Sequence, residues 1–161
     1  MTKKADYSED EWATLRRAPM VAGMAITLAD PGGPIEATKE IMATLKAITS
    51  PGSDEELVVA LSQDAMALAQ QHHNLMGDFK PRGAMAGQQV LDELRRANDI
   101  VGAKATPEEA AAFRAWLMEA AKAAAEAAKE GGFMGFGAEL VSQGERDMLA
   151  QLGMILGVDP A

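Results

Sequence analysis

Few side chains in this 161-residue chain are equipped for chemistry, and their types and spacing narrow what that chemistry can be. His72 and His73 are the only histidines. Adjacent residues on a helix project about 100° apart, so the pair suits a single ion poorly unless another helix supplies carboxylates, Glu36 or Glu40 for example. The Glu-x-x-His pattern of carboxylate-bridged di-iron bundles is absent, because Ala69 and Gln70 stand three residues before the histidines. A metal site at His72 and His73 is therefore the alternative reading, and a structural polar role the preferred one.

Eleven methionines raise the question of a soft copper(I) site, and Met20 and Met24 lie one helical turn apart. Their scatter over the whole chain, where aromatics make up only 4% of residues, favours core filling instead. The run Gly131-Gly132-Phe133-Met134-Gly135-Phe136-Gly137 is the most distinctive segment. It lacks the Lys-Ser/Thr of a nucleotide loop and follows no strand. With Trp116 it forms a candidate apolar ligand site, in which Trp116, Phe133 and Phe136 make the contacts and Gly135 leaves backbone room. The competing reading is a helix stop at Gly131, with the two phenylalanines plugging the end of a bundle. Asp54, Glu55 and Glu56 read as a solvated helix start, where negative charge opposes the positive end of the helix dipole. The chain has no cysteine, which rules out thiolate sites and a cysteine nucleophile. It has no Gly-x-Ser-x-Gly elbow either, and its serines fall at helix starts and turns. An enzyme is not indicated and no cofactor is implied.

Helices must position these residues. Ser/Thr-x-x-Glu boxes, whose two side chains satisfy the free N–H groups of a first turn, occur at Ser8/Glu11, Ser53/Glu56, Thr106/Glu109 and Ser142/Glu145. Thr106 is followed by Pro107, a residue suited to the first helical position. Pro19 is expected to kink or restart the first helix. Pro34 opens a second, with Ile35, Thr38, Ile41, Met42, Leu45 and Ile48 as its apolar stripe. A third is predicted from Ser53 towards Met76, with Leu57, Leu61, Ala65, Leu68, His72 and Met76 at near-helical spacing. Residues 77–83 read as an exposed loop. Val90, Leu91, Leu94, Ala97 and Val101 mark a fourth helix over Met85 to Val101. Phe113, Trp116, Leu117, Ala120, Ala124 and Ala127 mark an alanine-rich fifth, and Met148, Leu149, Leu152 and Leu156 mark the last. No strand pair with hairpin chemistry is present. The expectation is an all-α fold, a compact bundle of about six or seven helices forming a single domain over residues 1–161, with residues 1–7 as a flexible lead.

Charge narrows the partners. The chain has 24 acidic and 15 basic residues, a net charge of -9, and seven acidic against two basic residues lie between Asp30 and His73. Such a surface repels a phosphate backbone, so nucleic acid and anionic membranes are not expected as partners. No stretch reaches the roughly 18 apolar residues of a membrane span. With no cysteine and no apolar leader after Met1, a cytoplasmic location is expected.

The C-terminal third, with Phe113, Trp116 and Leu117, then Glu130-Gly-Gly-Phe-Met-Gly-Phe-Gly137 and Val141-Ser-Gln-Gly-Glu145, resembles a family of small bacterial helical proteins without an assigned function. Trp12 to Pro19 and Ala29-Asp-Pro-Gly-Gly-Pro34 are similar to it as well. The resemblance implies an all-helical fold and no catalytic residues. A more distant likeness, in size, acidity and helical character, is to the TerB-like tellurite-resistance proteins, whose acidic metal-site pattern has no counterpart here. The function expected is a non-enzymatic binding or protein-interaction module, stress-related on that distant likeness, with a homo-oligomer or a protein partner. The alternative is a metal-dependent enzyme or metal-binding protein built on His72 and His73.

Overall fold

The computed structural model describes residues 2–129 and 141–159. Six α-helices build it: α1 (Glu9–Ala29), α2 (Pro34–Thr49), α3 (Glu56–Gln70), α4 (Ala86–Lys104), α5 (Pro107–Lys129) and α6 (Gln143–Leu156). No strand occurs among the described residues. The protein is an all-α bundle, and α1 and α5 lie at its centre, each packed against the other five helices or nearly so. Leu15, Val21, Ile26, Ile48, Leu61, Leu94, Phe113, Leu117 and Leu152, drawn from all six helices, belong to one continuous apolar core. No helix among the described residues is long and apolar enough to cross a membrane.

Three of the four predicted boxes start helices. Ser8, Thr106 and Ser142 each accept the N–H of the glutamate three residues on, and each glutamate carboxylate accepts the N–H of its cap residue. Ser53 does not. Its hydroxyl accepts from the Glu55 N–H, and α3 begins two residues later than the box predicts. The expected break at Pro19 does not occur either, because α1 runs through it. A proline inside a helix costs about 3 kcal/mol, but Leu15, Ala18, Val21 and Ala22 are fully buried on both sides of it, and their burial holds the helix together.

α3 ends at Gln70 instead of continuing to Met76. His72 takes a left-handed φ of 57°, and the His73 N–H donates to the Leu68 carbonyl at 2.9 Å, closing the helix in the manner usually reserved for a C-terminal glycine. The stretch ahead of Ser8, for which the sequence supplies no anchor, is held against α5. Thr2 donates its N–H and hydroxyl to the Glu109 carboxylate, and the Tyr7 ring is buried beside Trp12.

The largest departure concerns α2. Of its predicted apolar stripe only Ile48 is buried, while Ile35 is 74% exposed, Met42 60% and Ile41 53%. Glu40 and Thr44 face inward instead. Gly23 of α1 carries no Cβ, so α2 closes directly upon it: a methyl placed there would lie 2.5 Å from the Thr44 Oγ1. On the other side the Trp116 indole N–H donates to the Ala47 carbonyl at 3.2 Å. These two contacts fix the rotation of α2, and they turn its polar residues inward at the expense of its own hydrophobic pattern.

Candidate functional site

At the contact of Gly23 with Thr44, α1 and α2 line an open cavity of about 330 Å³. Met20, Gly23, Met24 and Thr27 of α1 form one wall, at the three- and four-residue spacing of a single helix face. Ile41 and Thr44 of α2 form the second, and Asn74, Leu75 and Met76 close the third side. Among the described residues none that lines it is charged. Among the described methionines Met76 and Met118 lie in the core and Met20, Met24 and Met148 pack against it, as their scatter suggests, while Met42, Met85 and Met154 are exposed. Three of them, Met20, Met24 and Met76, gather at this wall.

A buried ion pair holds the third side in place. Arg17, on α1, donates from Nε to Glu93 of α4 at 3.0 Å, and both side chains are about nine-tenths buried. The same guanidinium reaches the Met76 carbonyl and the Thr14 hydroxyl, each at 3.4 Å, and lies 5.8 Å from the centre of the Phe79 ring. Asn74 accepts the Met76 N–H through Oδ1 at 2.9 Å. The segment from Asn74 to Phe79 has no helix to stiffen it, so Arg17 and Asn74 supply its rigidity.

The cavity floor is polar in one direction only. The Thr27 hydroxyl donates to the Glu40 carboxylate, and the Thr44 hydroxyl donates to the Glu40 carbonyl at 2.7 Å. Both hydroxyls thus spend their protons on Glu40 and turn only lone pairs towards the cavity. Glu40 is 1% exposed, and among the described residues no lysine or arginine pairs with it. Burial pushes its carboxyl above the usual glutamate range against the pull of the Thr27 bond, and the negative charges of Glu145, Glu36 and Asp30 raise it further. Glu145, also buried, is raised for the same first reason, with Asp30 and Glu36 adding to it while its bonds to Ser142 oppose.

The residues singled out from the sequence lie elsewhere. Trp116 is 1% exposed, packs edge-on against Phe113 at 6.3 Å, and ties α5 to α2; it is a core residue and does not line the cavity. Phe133, Gly135 and Phe136 lie outside the described residues. His72 and His73 are exposed beyond the end of α3, not side by side on a helix. Among the described residues no three histidine, aspartate or glutamate side chains are grouped so as to hold a metal ion. Glu40, a possible carboxylate partner for the histidines, is bonded to Thr27. The cavity itself left one trace in the sequence, the Met20/Met24 spacing. Ile41 and Thr44 gave none, because their placement depends on how α2 is rotated. Comparison of the chain with protein-family models, with curated proteins and with solved structures returned no match.

Proposed function

We propose that the protein is a non-enzymatic binding module and that the cavity between α1 and α2 is its binding site, taking the apolar part of a small ligand. The observation that carries this reading is the wall itself: an open cavity of ligand size, without a charged lining residue, and built around three methionines. Unbranched thioether side chains repack around differently shaped apolar guests at little strain. The rigid Arg17 anchor keeps the wall formed when it is empty. Among the described residues no nucleophile, acid–base pair or metal cluster faces the space, so binding rather than turnover is what this geometry supports.

An eight-carbon alcohol seated in the cavity removes on the order of 200 Å² of apolar surface from water, worth about 5 kcal/mol before the cost of association. A Kd no tighter than about 0.1 mM follows for such a minimal probe. The test is a titration of 1-octanol into protein labelled with ¹³C at the methionine methyls. The Met20, Met24 and Met76 resonances are expected to move together, while Met118, sealed in the core, and Met154, 84% exposed, stay in place. Ile41→Trp, which introduces a large ring at the half-exposed mouth, is expected to abolish the response. Shifts spread evenly over all methionines, or absent at these three, would refute the site.

A further inference from the structure

The polar groups around the cavity also bear on which head group an occupant carries. Resting on the binding reading above, we infer that the preferred occupant is an apolar molecule with a cationic, hydrogen-bond-donating head, an alkylammonium in its simplest form, and that carboxylates of equal length are refused. The first ground is donor bookkeeping. Thr27 and Thr44 are the hydroxyls of the wall, and each O–H is committed to Glu40, so what they present is acceptor lone pairs. A protonated amine satisfies those lone pairs, whereas a carboxylate brings a second set of acceptors against them.

The second ground is charge. The Glu40 carboxyl sits directly behind Thr27, almost wholly buried and without a cation among the described residues, while Thr44 bonds the Glu40 backbone carbonyl. Asp30 and Glu36 add negative potential from the α1–α2 turn, and Glu145 adds it from the start of α6. Positive groups do not cancel this field at the cavity. Lys39 and Lys46 project from α2 as exposed side chains, and Arg17, which reaches the Met76 carbonyl, is already neutralised by Glu93. Asn74 contributes the amide donor at the rim, with its oxygen committed to the Met76 N–H, and carries no charge to attract an anion. In a low-dielectric setting an unpaired carboxyl is among the strongest local determinants of what may bind beside it.

Three probes with the same eight-carbon chain separate head group from tail: octylammonium, 1-octanol and octanoate, each titrated at neutral pH and physiological salt into the full chain. Octylammonium is expected to bind about fivefold tighter than octanol or better, and octanoate about fivefold weaker or worse. In Glu40→Gln, which keeps the size of the side chain and its acceptor for Thr27, the advantage of the amine over the alcohol is expected to fall below about twofold while the alcohol binds as before. Thr27→Val, which removes the hydroxyl between Glu40 and the cavity, is expected to reduce the same advantage and serves if the glutamine variant does not fold. An amine preference that persists in both variants would trace to the overall charge of -9 and overturn the inference. Equal binding of all three probes overturns it too while leaving the cavity intact as a binding site. Failure of octanol to move the Met20, Met24 and Met76 methyls removes the site and the inference together.

Discussion

Substituting Gly23 by alanine tests the contact that sets the geometry of the cavity. An added Cβ would lie 2.5 Å from the Thr44 Oγ1, 2.6 Å from its Cγ2 and 3.1 Å from its Cβ. Ordinary contact between such atoms begins near 3.5 Å. Rotating Thr44 does not relieve the clash, because rotation only exchanges one γ atom for the other and leaves its Cβ in place. α2 must therefore retreat by about 1 Å, loosening both the Thr27–Glu40 bond and the Ala47–Trp116 bond. Overpacking of this kind costs about 1–3 kcal/mol, and the better helix propensity of alanine returns about 1 kcal/mol. The expected net loss is roughly 0–2 kcal/mol, measured by urea denaturation followed by circular dichroism and tryptophan fluorescence. Thr44→Ala removes both γ atoms, so the Gly23→Ala/Thr44→Ala pair is expected to be more stable than the sum of the single losses by about 1 kcal/mol. If Gly23→Ala exceeds the wild type, or the two changes are simply additive, the close approach of α1 and α2 is wrong.

Two further outcomes follow from buried charge. Glu40 and Glu145 have carboxyls raised by burial above the ordinary value of 4.5, so the folded chain holds more protons than the unfolded one between that value and their folded values. Stability is therefore expected to rise as pH falls from 7 towards 4.5, and Glu40→Gln is expected to flatten that rise. Below that window the trend reverses. Burial raises Asp64 and Glu109, but hydrogen bonds from Trp12 and Arg16 to Asp64, and from Thr106 and Thr2 to Glu109, outweigh it and hold both low. Their contribution is lost on protonation. Denaturation midpoints between pH 3.5 and 7.5 read both limbs, and a monotonic fall from pH 7 downward would contradict the buried state of Glu40. Arg17→Met leaves Glu93 buried without its partner and is expected to cost about 3–5 kcal/mol. Arg17→Met/Glu93→Leu should recover most of that loss, while hydrogen exchange at Met76 and Phe79 stays faster than in the wild type, because the Met76 carbonyl keeps the Phe79 N–H but has lost the Arg17 guanidinium. Unchanged exchange there would show that Arg17 does not hold the cavity wall.

Local signals in the sequence determined most of the helices. The boxes at Ser8, Thr106 and Ser142, Pro34 at a first turn, and the apolar spacing of α4 and α5 act within a few residues, and the structure places a helix at each. Where a signal had to compete with packing, it lost. Pro19 stays inside α1 because the core on both sides outweighs a missing hydrogen bond, and α3 stops at Gln70 although nothing after it reads as a break. The face that lines the cavity lay beyond the reach of periodicity. Read alone, α2 offers an apolar stripe from Ile35 to Ile48; folded, it buries Glu40 and Thr44 and exposes Ile35, Ile41 and Met42. One missing Cβ at Gly23 on one side and one indole N–H of Trp116 on the other decide that rotation. Both belong to other helices, and Trp116 lies 69 residues from Ala47 in the chain. The sequence of α2 determined that it would be a helix, but which of its faces met the core depended on surfaces that exist only after α1 and α5 have packed.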